Sequence, residues 1–244
     1  MNGSSRSIAI KKNIIASLFL KGISILVSLQ VVPLTINYIN PTRYGIWLTL
    51  SSIVAWLSYF DLGFAHGFRN RFAEAVAKGD MQLAREYVST TYVVLSLLFS
   101  SVFLIAIVVN HFVDWSAILN VDAAYSSELN IVFGILAFFF CLNIVASIFT
   151  TMLTANQKPA LASLIQTLGQ VFGFICIYIL TKTVPGNLDV LAFAFSGVPC
   201  FLLIIISIGM FLSGRYRHLS PSFHFVHFSL TKKIVGLGGQ FFII

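Results

Sequence analysis

The sequence predicts an all-α membrane protein: six transmembrane helices and the start of a seventh. Three observations carry this. Hydrophobic residues make up 58% of the 244 residues and charged residues 9%, against roughly a quarter charged in a soluble domain. With a mean hydropathy of +0.92, the chain cannot cover itself with polar surface, so lipid is its solvent. The apolar residues fall in runs that reach the length of a bilayer crossing, about 20 residues at a rise of about 1.5 Å each. Finally, Lys and Arg gather on alternate connections between those runs. The runs lack the strict polar/apolar alternation of a lumen-lining strand. A helix satisfies its own backbone in hydrocarbon, so the prediction is a bundle and not a β-barrel.

The first run covers 14–39 and holds one charge, Lys21. It is longer than the apolar core of a secretion signal, about 7–15 residues, and more such runs follow it, so it reads as a helix that stays. "NPTR" makes a tight turn into the second run, 44–68, whose one charge is Asp61. The runs 88–112, 129–157, 160–181 and 190–214 contain no Asp, Glu, Lys or Arg. "HFVDWSAILNVDAAYSSE" is a longer loop, and "KTVPGNLD" is a turn punctuated by Pro-Gly. In "NQKP", Pro159 suits the first position of the next helix. Numbering the connections alternately puts twelve of the fifteen Lys and Arg on one side and only Arg43 and Lys182 on the other, Lys21 lying within a span. That asymmetry places the N-terminus in the cytoplasm. The basic balance of +7 therefore points to a membrane surface and not to nucleic acid. The expected organisation is a six-helix lobe over 1–233. A seventh helix over 234–244 is cut short, since eleven residues cannot cross a bilayer.

Between the second and third spans, Phe68, Phe72, Ala75 and Val76 share one helical face, while Arg69, Arg71, Glu74 and Lys78 fall mostly away from it. Glu74 and Lys78 are spaced to pair. The expectation is an interfacial cytoplasmic helix, its basic face on anionic headgroups and its phenylalanines in the acyl boundary. Gly79 stands near its C-cap. An ordinary basic loop is the plainer reading of the same residues.

Several residues are candidates for a substrate pathway. Asp61 lies about 26 Å along its run by the helical rise, near the far side of a ~30 Å core. That favours the membrane boundary over a polar cavity. Lys21 lies roughly 10 Å deep. It either snorkels to the interface or faces a cavity, where it would attract a pyrophosphate or an acidic sugar. Gln30, Asn37, Asn143, Gln166 and Gln170 have interhelical hydrogen bonding as their ordinary role and a lumen for sugar hydroxyls as their functional one; Gln166 and Gln170 share a face. Pro33 interrupts the first helix's hydrogen-bond ladder and is the hinge candidate. Trp47, Trp56, Tyr59, Tyr92, Trp115 and Tyr178 sit mostly near span ends, as an aromatic belt does. Cys141, Cys176 and Cys200 read as small buried hydrophobes, and His218, His224 and His227 have no metal-ligand spacing. No Walker A sequence or catalytic set is present and "GLGGQ" is a weak signal, so neither an enzyme nor a cofactor or metal is expected.

Pro33 in the first span, Tyr44-Gly45 opening the second, Asp61-Leu62-Gly63 near its end and Ala77 to Asp80 closing the loop stand in a fixed order. Together with "LTANQKPALAS", they resemble the oligosaccharide-lipid flippases, the polysaccharide transport branch of the multidrug/oligosaccharidyl-lipid/polysaccharide exporter superfamily. The resemblance covers the first 80 residues well and the rest loosely. It implies one lobe of a MATE-like exporter of 12 to 14 helices in the bacterial inner membrane, working by alternating access. It implies flipping of undecaprenyl-pyrophosphate-linked repeat units for O-antigen or lipopolysaccharide assembly. The implied partners are membrane lipids, the lipid-linked oligosaccharide, a C-terminal half and polysaccharide-assembly proteins. A cation-coupled multidrug exporter of the same superfamily and a non-transporting half-length protein are the competing expectations.

Overall fold

A computed structural model describes residues 3–57 and 63–240, with side chains for 13–57 and 63–235. Among the described residues every regular element is helical: α1 (Gly3–Ile39), α2 (Pro41–Ala55), α3 (Phe64–Ala77), α4 (Met81–Phe112), α5 (Trp115–Leu119), α6 (Ser126–Ala155), α7 (Pro159–Thr183), α8 (Leu188–Leu212) and α9 (Ser229–Gln240). Five of them (α1, α4, α6, α7 and α8) are long and apolar enough to cross a membrane, with mean hydropathies from 1.8 to 2.7. The protein is an all-α, multi-pass membrane protein.

Turn chemistry sets the boundaries. The Asn40 side chain accepts from the Arg43 amide at 3.0 Å, with Pro41 at the first position of α2. Asp80 caps α4 through the Leu83 amide at 2.9 Å, and Asn187 caps α8 through Val190 at 3.0 Å. Each supplies an acceptor to donors that a helix start leaves unpaired. Gly79, at φ 76°, follows the C-cap of α3 in the left-handed conformation that glycine adopts without penalty. Pro159 opens α7 as expected. Pro33 does not break α1, which runs on to Ile39. Nearby, the Thr35 hydroxyl donates to the Val31 carbonyl at 2.7 Å.

The stretch 44–68 is not one helix. α2 ends at Ala55, and α3 starts at Phe64 behind Gly63, which is left-handed at φ 77°. A left-handed residue cannot continue a right-handed helix. Nor does the apolar stretch after 233 start a helix: α9 begins at Ser229, and residues 241–244 lie outside the described residues.

Long-range hydrogen bonds define two ends of the bundle. At one, Asn13 donates to the Gln157 carbonyl at 3.5 Å, Lys158 to the Tyr216 hydroxyl at 3.0 Å and Arg85 to the Ser220 carbonyl at 2.9 Å. At the other, Tyr38 donates to the Pro185 carbonyl at 3.2 Å, and Arg43 to the Gly186 carbonyl at 3.1 Å and to Glu128 at 3.4 Å. Among the residues described with side chains, Arg69, Arg71, Lys78, Arg85, Lys158, Arg215, Arg217, Lys232 and Lys233 lie at the first end, and only Arg43 and Lys182 at the second. The charge alternation read along the chain is thus a separation in space.

Each end has its own apolar core. At the basic end Phe68, Phe72, Phe149 and Tyr216 are buried together with Leu230 and Ile234. At the other, Ile39, Trp47, Leu50, Trp115, Leu129 and Leu188 pack together. This overturns the acyl-boundary expectation for α3. Its Phe68 and Phe72 are 0% exposed, covered by α4, α6 and α9, because an apolar helical face has protein to pack on before it has lipid. Arg69 and Lys78 remain exposed and Arg71 is half-buried.

Candidate functional site: a cavity in the bundle

A cavity of about 550 Å³ opens between α1, α2, α6, α7 and α8. Ligand sites commonly hold about 300–1,000 Å³. Its walls come from Ser28 and Val31 on α1, Tyr44, Trp47 and Ser51 on α2, Phe139 and Asn143 on α6, Gln170 and Gly173 on α7, and Phe195, Ser196 and Pro199 on α8. None of the lining residues is Asp, Glu, Lys or Arg. What it offers is neutral: two carboxamides, four hydroxyls and six aromatic side chains among aliphatic ones.

Local sequence explains this assembly. Gly169 and Gly173 let α7 approach α8 at Pro199: a Cβ on Gly169 would come within 3.2 Å of the Pro199 Cα. Pro199 has no N–H to give the Phe195 carbonyl one turn earlier, which frees an acceptor at the cavity wall. On α2, Trp47 meets Phe195 edge-on, ring centroids 4.7 Å apart. The Trp47 indole nitrogen and the Ser51 hydroxyl are both buried without a hydrogen-bond partner. Buried polar atoms in native proteins are nearly always paired, so two orphans side by side on one helix are unusual.

The polar character continues toward the basic end. Asn143, Ser147, Thr151 and Thr154 share one face of α6 by helical spacing. Ser147 and Thr151 line a smaller cavity of about 170 Å³ with Phe68 and Thr91. Both hydroxyls donate to carbonyls of their own helix, Ser147 to Ile144 at 2.7 Å and Thr151 to Ser147 at 3.1 Å, which leaves their lone pairs free. On α1, Asn13, Ser17, Ser24 and Ser28 likewise fall on one face. Ser24 donates to the Gln170 side chain and the Thr167 hydroxyl to the Leu20 carbonyl, which makes the α1–α7 seam polar.

Of the residues predicted from sequence, Asn143 and Gln170 are brought together at the cavity. Gln166 and Gln30 are exposed outside it. Lys21 is exposed one turn before Ser24, beside the seam but not in the cavity wall. Pro33 is exposed on α1, and Asp61 lies outside the described residues. Sequence reasoning missed Trp47, which it placed in the interfacial belt, together with Ser51, Ser196 and Pro199. The signal for the last was available: a proline inside an apolar span, next to a serine three residues earlier. Among the described residues no group of His, Cys, Asp or Glu could hold a metal ion.

Outside the spans, hydrogen bonds from Lys78 and then Arg71 hold the Glu74 carboxyl below its ordinary range. The Ser116 hydroxyl and the Ala117 amide do the same for Asp114.

No family model matches the chain, and no curated protein or solved structure matches it.

Proposed function

We propose that this chain is one lobe of a transporter that moves lipid-linked (undecaprenyl-pyrophosphate) oligosaccharide units across the bacterial inner membrane for polysaccharide assembly. The observation that carries the reading is the cavity. Carboxamides and hydroxyls stand with aromatic rings in the wall of one cavity within the bundle, beside two buried polar atoms without partners. Sugars need this set, with hydrogen-bond partners for hydroxyls and aromatic faces for the apolar side of the ring. Each unpaired polar group of a glycan costs several kcal/mol, about 2–7, in hydrocarbon, so a headgroup crosses only where such partners replace water. The hydroxyl-lined face of α6 would lead it from the basic end, and the lipid tail would stay in the bilayer. In this reading α2 and α3 together complete a sixth crossing, and the basic end faces the cytoplasm. Lys21, beside the seam, would meet the pyrophosphate.

The competing cation-coupled drug exporter needs a carboxylate to carry its ion, and no described residue of the cavity wall supplies one. The test is surface polysaccharide in cells that depend on this protein. Asn143→Leu with Gln170→Leu is expected to lower export at least about tenfold, the worth of roughly 1.4 kcal/mol, at unchanged abundance in the membrane. Undiminished export by that pair would end the proposal. Lys21→Ala is expected to lower export as well; undiminished export there would return the lysine to snorkelling and leave the cavity reading intact.

A further inference from the structure

We infer that the segment 215–233, between α8 and the middle of α9, is an anchor for the headgroup layer of an acidic lipid leaflet. α8 ends at Leu212, so the segment begins where a spanning helix leaves hydrocarbon. It is not a loose loop. Arg85 on α4 donates to the Ser220 carbonyl at 2.9 Å and to the Ser220 hydroxyl at 3.3 Å, and its guanidinium lies 4.2 Å from the Phe225 ring centre. The Ser222 amide donates to the Ser89 hydroxyl at 3.1 Å and the His227 amide to the Thr90 hydroxyl at 3.0 Å. Tyr216 and Leu219 are buried beneath it.

A backbone fixed in this way turns Phe223 and Phe228 outward, 86% and 63% exposed. Arg215, Arg217, Lys232 and Lys233 are exposed around them. The segment contains no Asp or Glu; the acid that faces it is Glu86 on α4, 3.7 Å from His227. Two phenylalanines held out beside four cations, level with a helix end, match an interface in which rings enter the acyl boundary and cations meet phosphates. Charge complementarity and continuity with α8 select a lipid surface over a protein partner. The phenylalanines of α3 face inward, whereas two of the segment after α8 face outward. The inference is independent of what the cavity carries.

A photoreactive benzophenone side chain at position 223 or 228, in the full chain reconstituted with phosphatidylcholine and a radiolabelled phosphatidylglycerol, tests it. Position 104 is the control, because Leu104 is 64% exposed within the α4 span. Capture of phosphatidylglycerol is expected at 223 and 228. It is expected to fall several-fold when Arg215, Arg217, Lys232 and Lys233 are all changed to Gln, with capture at 104 unchanged. Three results would overturn the inference: capture at 104 alone, crosslinking of 223 and 228 to protein from whole membranes, or capture indifferent to the four cations.

Discussion

The two ends of the bundle use the same apolar alphabet differently. At the basic end α3, α4, α6 and α9 close around Phe68, Phe72 and Phe149, all 0% exposed, and the hydroxyl-lined cavity reaching it is small. Toward the other end the cavity separates α2 from α1 and α8, and most of the buried polar atoms without partners collect there: Arg43 Nε, Trp47 Nε1, Ser51 Oγ, Asn130 Oδ1 and Asp189 Oδ1. One region is built for cohesion. The other leaves polar groups unspent. In lipid, helices gain little by burying apolar surface against each other, so packing quality and polar satisfaction decide stability. The contrast is therefore one of polar satisfaction and not of composition.

The contrast breaks most visibly if core truncation and cavity change cost the same. Phe72→Ala should lower stability by about 3–5 kcal/mol, the usual cost of removing a buried phenylalanine. Trp47→Phe should cost under about 1 kcal/mol, since it deletes a buried N–H that has no partner to lose. Thermal unfolding in detergent measures both, and equal losses would remove the contrast between the two ends.

A smaller effect tests how closely the basic end is packed. A Cβ on Gly67 would fall 1.9 Å from the Ile234 carbonyl oxygen. That neighbour is backbone and cannot swing aside, so Gly67→Ala should cost about 1–3 kcal/mol. Gly45, at the other end, has nothing within 4 Å of such a Cβ. Gly45→Ala in the middle of α2 should then be stabilising by up to about 1 kcal/mol. Melting temperatures that move together would remove the distinction.

The smallest effect is electrostatic. A carboxylate whose pKa is lowered by folding contributes stability above its ordinary pKa and loses that contribution as pH falls through the lowered one. Glu74 is such a group. Its ion pairs with Lys78 and Arg71 are solvent-exposed, 2.7 and 3.0 Å long, so the gain is screened. Glu74→Gln should slightly flatten the decline in Tm between neutral and acid pH. A steeper decline in the variant would contradict the sign.

Much of the fold could be read from the chain because it depends on local rules. Run length gave the long helices α1, α4, α6, α7 and α8, Pro159 and Gly79 gave a helix start and a helix stop, and the Lys and Arg alternation gave the two ends. Periodicity also found the apolar face of Phe68 and Phe72, but periodicity cannot say what covers a face. Protein took the place that had been assigned to lipid. The break between α2 and α3 was hidden for a related reason: an apolar run reads the same whether one helix or two carry it. At the site, Asn143 and Gln170 stood out because a carboxamide is conspicuous in a span. Ser51 and Ser196 did not, since a serine there usually bonds its own helix, and Trp47 matched a belt residue until its partner Phe195, far away in sequence, was known.

The seam between α1 and α7 has a consequence for how the protein is made. The Thr167 hydroxyl reaches the Leu20 carbonyl across 147 positions of chain. At about 5–20 residues per second of synthesis, α1 waits roughly 7–30 seconds in the bilayer before its principal neighbour is inserted. During that wait its exposed leucines and isoleucines rest against acyl chains, while Ser17 and Ser24 have only carbonyls of their own helix to bond and Lys21 reaches toward the headgroups. On α1 Asn13, Ser17, Lys21, Ser24 and Ser28 form one stripe, while Gln30 and Asn37 lie on the far side of the helix.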